Sequence, residues 1–321
     1  MTAGEASWTV GVDLGGTFIK VALLGPDGAI VARDRVETRG HDGSEAVLGR
    51  MAEGVAAMAA QAPGGRVTGV GVGIPGMIDA ASGRTLDVPN LPGRWPGVPV
   101  AERLAPAANA PVRLINDASA FVVAEHGVGA ARGADTALFV TVGTGVGGGI
   151  VAHGKPVFGL GGAAGEIGHL IVQPGGIACS FGNRGCVEPL ATGPAIAAEA
   201  VRRCVQGFST RLPEFVDGDL NRMTPEIVDQ AAQAGDAQAI SILRDAGTWL
   251  GYALAGAVAL LAPEVVVIGG GVIRPGGDYW TAAVETARAN VHTCEIERVR
   301  FEPAALGYDA GVIGAALWGR G

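Results

Sequence analysis

An apolar run, residues 8–12, ends in Asp13-Leu14-Gly15-Gly16-Thr17, and a second apolar run, residues 18–24, follows at once. Both runs have strand character, and the glycine pair between them reads as a tight turn. The unit is therefore strand, glycine turn, strand, with an acid at the mouth. Glycines in such a turn let backbone N–H groups approach phosphate oxygens with no side chain in the way. An aspartate beside them can orient a hydrated magnesium ion. The segment differs from the G-x-x-x-x-G-K-[ST] loop, because no helix follows it. A plain hairpin with a surface acid fits the same letters, so this segment alone leaves both readings open.

The unit recurs. Residues 136–142 form a strand pattern, Gly143-Thr144-Gly145 a turn, and residues 149–152 a second strand. A third glycine turn, Gly269-Gly270-Gly271, closes the apolar run 264–268. Between these lie a strand pattern at 66–74 ending in Pro75-Gly76, another at 112–115 ending in Asn116-Asp117, and helical periodicities at 44–60, 118–126, 194–204, 240–262 and 310–318. Strands alternating with helices indicate α/β layers with mostly parallel pairing. The repeat predicts two similar lobes facing each other across a cleft. Their boundary falls within 119–134, giving a small lobe of 1–118 plus 308–321 and a large lobe of 119–307.

Length agrees: 321 residues at about 100–200 per domain implies two domains. With 48% hydrophobic and 17% charged residues, the chain is globular rather than disordered. The net charge of −8 and the lack of any Lys/Arg-rich run exclude a nucleic-acid surface. The longest apolar run, 249–262, is shorter than the roughly 18–20 residues of a membrane span. The first seven residues carry neither a basic nor an apolar signal region. Four cysteines in a chain this long do not make a disulfide scaffold. The expectation is a cytoplasmic protein that binds neither nucleic acid nor membrane.

Sheet folds place ligands at the carboxyl ends of strands. Three glycine turns at such ends point to a nucleotide site. Asp117 follows a strand too, and an aspartate there can accept the proton of a substrate hydroxyl, the one base that phosphoryl transfer asks of a protein. Asn-Asp ahead of an alanine-rich segment is also a good helix cap. Glu166, His169 and Glu188 offer acceptors for vicinal hydroxyls. His169, Cys179 and Cys186 suggest zinc by type. Buried thiols beside a hydrogen-bonded histidine fit as well, because a closed structural site takes four ligands.

Taken together, these residues resemble the ROK family of repressors, open reading frames and sugar kinases, over nearly the whole chain. The matching pieces are Asp13–Thr17 with Lys20, residues 73–76, 89–92, 116–118, 142–149, 165–169, 182–188 and 267–272. The resemblance implies a two-lobed actin-like ATPase (ribonuclease H-like) fold. It implies that Asp117 is the catalytic base acting on a hexose 6-hydroxyl. Gly76, Asn90, Asn116, Glu166, His169 and Glu188 are then the sugar-binding set. Asp13, Gly15, Gly16, Thr17, Lys20, Thr144, Gly145, Gly269, Gly270 and Gly271 are the nucleotide-binding set, with ATP as donor and Mg2+ as its companion. Family members often dimerise, which implies a homodimer.

The chain departs from the family at one place. Phe181 stands where a cysteine usually follows the first zinc cysteine by two residues. Zinc would then hold His169, Cys179, Cys186 and a water, or be absent with the loop held by packing of Phe181. The activity expected is ATP-dependent phosphorylation of glucose. An N-acetylhexosamine kinase (N-acetylmannosamine or N-acetylglucosamine) or a fructose kinase is the alternative, and polyphosphate is a second possible donor. A repressor of the same family would need a DNA-binding segment ahead of residue 10. A non-catalytic sugar-binding regulator would not need Asp13, Asp117 and all three turns.

Overall fold

The structure is a computed structural model that describes residues 7–88 and 91–321. The chain divides into two compact units, Met1–Gly133 with Ala305–Gly321, and Ala134–Ala304.

The first unit carries strands β1 (Thr9–Leu14), β2 (Phe18–Leu24), β3 (Ile30–Glu37), β4 (Gly69–Ile74), β5 (Met77–Asp79), β6 (Arg84–Asp87) and β7 (Val112–Asn116). Its first three helices are α1 (Ser44–Ala59), α2 (Val100–Ala108) and α3 (Asp117–Gly127). The second unit carries β8 (Ala137–Val142), β9 (Val146–Ala152), β10 (Lys155–Val157), β11 (Val265–Gly269) and β12 (Arg300–Pro303). Its helices are α4 (Glu188–Ala191), α5 (Gly193–Val205), α6 (Pro225–Gln233), α7 (Ala237–Leu261) and α8 (Asp278–Ala289). Helix α9 (Ala310–Gly319) returns the chain to the first unit.

The two main sheets share one plan. Their orders are β3-β2-β1-β4-β7 and β10-β9-β8-β11-β12. In each, a hairpin strand runs antiparallel to the central strand, and the next two strands run parallel to it. This is the actin-like ATPase fold, built as a duplicated α/β unit.

Strand β4 explains part of the glycine content. Its sequence, GVGVGI, is buried throughout. Side chains alternate across a strand, so Val70, Val72 and Ile74 enter the core shared with α1 and α2, while the glycines turn to the other face. There α9 lies so close that a Cβ on Gly71 would collide with the Ala315 carbonyl, and one on Gly11 with the Val312 carbonyl. A parallel sheet covered on both faces needs apolar residues on both. Here one face is bare backbone so that a helix can sit against it.

The second core lies beneath β8 and β11, where α7 and α8 pack together. Helix α7 is notched for that contact, since a Cβ on Gly247 would collide with the Tyr279 carbonyl.

The break at 133/134 lies at the far end of the expected 119–134 boundary region, because helix α3 packs along α9 and stays in the first unit. The return falls at 305 rather than 308. The strand expected at 66–74 begins at Gly69, and the helix expected at 240–262 begins at Ala237 behind an Asp236 cap. Helices α2, α6 and α8 and strand β12 were not foreseen.

Candidate functional site

In the first unit, β1, β4 and β7 are parallel neighbours, and their carboxyl ends present Asp13, Pro75-Gly76 and Asn116-Asp117. The expected residues are thus gathered at one sheet edge, where an α/β fold binds ligands. The turn after Asp13 is tied down by its own backbone, with Gly15 N–H donating to Phe18 O at 3.0 Å. Thr38 adds two bonds that the sequence did not advertise: its hydroxyl donates to Gly15 O at 2.6 Å and its N–H to Thr17 O at 2.8 Å. Gly16 and Thr17 remain exposed at the tip.

Asp13 lies at the start of α9. A Cβ on Gly311 would come within 2.7 Å of its carboxylate, so only glycine admits the acid there. Lys20 sits opposite Asp13 in the hairpin register and donates to its Oδ2 at 3.0 Å. The same ammonium donates to Tyr308 O at 2.9 Å and lies 3.5 Å from the centre of the Tyr308 ring.

Asn116 is the cap of α3. Its Oδ1 accepts from Ala118 N–H at 2.9 Å and from Ser119 N–H at 3.4 Å, and its Nδ2 donates to Gly76 O at 2.8 Å. With Asn116 capping, Asp117 becomes the first helical residue. Its Oδ1 accepts from Ala118 N–H at 2.9 Å. Desolvation by surrounding protein pushes the Asp117 carboxyl above the ordinary aspartate range, and the Asp13 charge adds to the rise. Asp117 is exposed by surface area. Contact with water limits the size of that shift but not its sign. Asn90 and its neighbour Pro89 lie outside the described residues.

In the second unit, β8 and β11 are parallel neighbours that end in the other two glycine turns. Gly270 has a φ of +106°, and a Cβ there would collide with the Val142 backbone, so the turns at 143–145 and 269–271 adjoin at the sheet edge. Glu188 opens α4 and reaches the first of them. Its Oε2 accepts from Val146 N–H at 3.1 Å, and a Cβ on Gly145 would stand 2.9 Å from that oxygen. Glu166 and His169 flank a single turn, with Glu166 Oε2 3.9 Å from His169 Nε2. That turn lies on β9, where a Cβ on Gly168 would collide with the Val146 carbonyl.

His169 also belongs to a soft-ligand cluster with Cys179 and Cys186, their ligand atoms all within 4.8 Å of one another. His169 Nδ1 is buried and lacks a hydrogen-bond partner. A buried, unpartnered nitrogen on this imidazole fits one corner of a metal site. Phe181 supplies no donor and sets its ring edge against the imidazole, centroids 4.6 Å apart. The residues therefore offer a metal three ligands, one short of a closed structural zinc site, as the departure at Phe181 implies.

The sequence missed Thr38, Tyr308 and Gly311. Each acts on the 13–20 hairpin from far along the chain, and no local pattern marks them.

The chain is similar to known proteins over nearly its whole length. The family model described as "ROK family" matches residues 9–321. A glucokinase of Thermotoga maritima is 35% identical, covering 96% of this chain and 95% of its own. Among solved structures, the ROK hexokinase from Thermus thermophilus is 36% identical, covers 97% of each chain and has a TM-score of 0.81. A ROK family glucokinase from Streptomyces griseus, in complex with glucose and AMPPNP, is 30% identical, covers 98% of this chain and 99% of its own, and has a TM-score of 0.78.

Proposed function

This chain belongs to the ROK family, and from that premise we propose that it is an ATP-dependent hexose kinase that phosphorylates glucose at the 6-hydroxyl. The observation that carries the reading is Asp117, held at a strand end beside the Asn116 cap with its carboxyl raised toward the range of a working base. Kinase relatives spanning nearly the whole chain support the activity.

Roles are assigned by unit. In the first unit, Asp117 takes the proton of the 6-hydroxyl as that oxygen attacks the γ-phosphorus. Asn116 and the backbone at Gly76 hold the sugar, with Asn90 assigned beside them. The turn Gly15-Gly16-Thr17 offers backbone N–H groups to phosphate. Asp13 is positioned by Lys20 and the start of α9, and it suits a hard cation that arrives with the nucleotide. When bound, Mg2+ offsets the charge of the β- and γ-phosphates. In the second unit, Glu166, His169 and Glu188 accept from sugar hydroxyls. Thr144 and Gly145 line the phosphates, and Gly269, Gly270 and Gly271 line the adenosine.

Among the described residues no helix is long and apolar enough to cross a membrane. A cytoplasmic location and a homodimer belong to the same proposal, the first supported by four unpaired cysteines.

The test is a coupled assay with ATP and with polyphosphate across glucose, mannose, fructose, N-acetylglucosamine and N-acetylmannosamine. The highest kcat/KM is expected for glucose with ATP. Turnover confined to an N-acetylhexosamine moves the assignment within the family, and no turnover with any of these sugars removes it.

A further inference from the structure

The pair Cys179 and Cys186 has no role in phosphoryl transfer, yet the fold brings the two together deliberately. Ile171 bridges to Cys186 and Ala178 to Arg184, and Cys179 N–H donates to Asn183 O at 2.8 Å. The segment carrying Cys186 and the turn carrying Cys179 are thereby folded onto each other. The two sulfurs lie within 4.8 Å of each other. Cys186 is fully buried, whereas Cys179 is 9% exposed, beneath a turn whose tip residue, Phe181, is 78% exposed. A tetrahedral zinc site with four protein ligands shields its sulfurs by saturating them. This chain offers three, and Phe181 carries no metal-binding atom.

We propose that Cys179 and Cys186 form a reversible dithiol–disulfide pair, with a peroxide as oxidant, and that a soft metal on the cluster competes with that bond. The Cys179 sulfur attacks one peroxide oxygen. The O–O bond breaks, and the departing hydroxide leaves as water with the thiol proton. The Cys179 sulfenic acid is then attacked by the Cys186 sulfur. The S–S bond forms, the S–O bond breaks, and a second water leaves with the Cys186 proton. The two thiols lose two electrons and the peroxide gains them. The order follows from exposure: Cys179 can be reached by a small oxidant, and Cys186 waits behind it. A dithiol reductant reverses the bond by exchange. Metal binding opposes oxidation because both events use the same sulfur lone pairs. The proposal does not depend on which substrate the protein phosphorylates.

The experiment uses the wild-type full chain, stripped of metal with a chelator, exposed to hydrogen peroxide, alkylated and mapped by peptide mass spectrometry. The expected product is a peptide linked through Cys179 and Cys186, with Cys204 and Cys294 alkylated as internal controls. Dithiothreitol restores both thiols. Protein loaded with zinc forms the bond at least about tenfold more slowly. The proposal is overturned if both cysteines remain alkylated or pass straight to sulfinic acid in metal-free protein, or if zinc gives no protection. A second variant, Phe181→Cys, supplies the missing ligand. It is expected to retain one zinc per chain through dialysis and to resist peroxide longer than zinc-loaded wild type. Wild-type zinc retention and oxidation rate in that variant would reject the link to the missing ligand.

Discussion

Lys20 faces Asp13 across the β1–β2 hairpin and donates to its carboxylate at 3.0 Å, while the same ammonium is capped by the carbonyl and the ring of Tyr308. An ammonium has three donors. Two are spent on oxygens, and the aromatic face takes up what remains of the charge. A lysine engaged in this way is a positioning group for Asp13 before it is a ligand for phosphate. Lys20→Met is therefore expected to lower kcat/KM for ATP by about 10- to 100-fold, or about 1.4–2.7 kcal/mol. The dissociation constant for ATP without metal is expected to change by less than about threefold, because the lost bond acts through Asp13. Calorimetry alongside steady-state kinetics separates the two roles. Binding that weakens as much as kcat/KM makes Lys20 a direct phosphate ligand.

Asp117 must be ionised to accept a proton, and its carboxyl is raised by desolvation and by Asp13. The acid limb of the kcat profile is therefore expected above the ordinary aspartate value of about 3.9. It should move to lower pH when Asp13→Asn removes the neighbouring charge, which carbon NMR of the Asp117 carboxyl can follow directly. Stability runs the other way. The folded state holds this proton more tightly than the unfolded state. Between the ordinary and the raised pKa it binds more protons, so stability falls as pH rises through that window and stays lowered at neutral pH. Asp117→Asn is expected to lose about 10²–10⁴ in kcat while melting at pH 7 no earlier than wild type. A variant keeping more than about a tenth of kcat removes the base assignment, since general-base catalysis is worth more than that.

Asn116 does two jobs with one amide, capping α3 and tethering the Gly76 carbonyl. Asn116→Ala removes both and is expected to cost about 1–3 kcal/mol, a cap plus one further hydrogen bond. Asn116→Asp keeps the acceptor that caps the helix and loses only the donor to Gly76. Denaturant melts should therefore rank wild type, Asp and Ala in falling order. An Asp variant as unstable as Ala would show that the Gly76 tether, not the cap, dominates.

What the sequence revealed at these positions follows from how local each signal is. The hairpin around Asp13 was legible because apolar runs flank a glycine turn, and the Asn116-Asp117 pair because a cap announces a helix start. The lobe boundary was legible only as a range, 119–134, because what fixes its far end is the hold of α9 on α3, nearly two hundred residues away in the chain. Helix α8 was overlooked because its buried face is Tyr279, Ala282, Ala283 and Ala287, and alanine gives little periodic contrast. Lys20 was read only as part of the nucleotide-binding set, because nothing in its own neighbourhood points to Tyr308. The cysteine pair was visible as residue types, but the bare Nδ1 of His169 and the placement of Phe181 belong to the fold.

Glu188 separates a structural role from a binding role most cleanly. Its Oε2 holds the Val146 N–H, which braces the 143–145 turn. Glu188→Gln keeps an oxygen for that N–H, so the turn and the melting temperature are expected to be nearly unchanged. The substitution replaces an ionised acceptor by a neutral amide toward a sugar hydroxyl. A hydrogen bond to a charged group is worth about 1.5–3 kcal/mol, so KM for glucose is expected to rise by about 10- to 150-fold. If the loss is equal in ground and transition states, kcat stays within about twofold. Gly145→Ala approaches the same carboxylate from the other side, with its new methyl 2.9 Å from Oε2, and should raise KM in the same direction. Should KM for glucose stay at the wild-type value in Glu188→Gln, this carboxylate braces the turn and nothing more, and within the second unit the sugar must be read by Glu166 and His169.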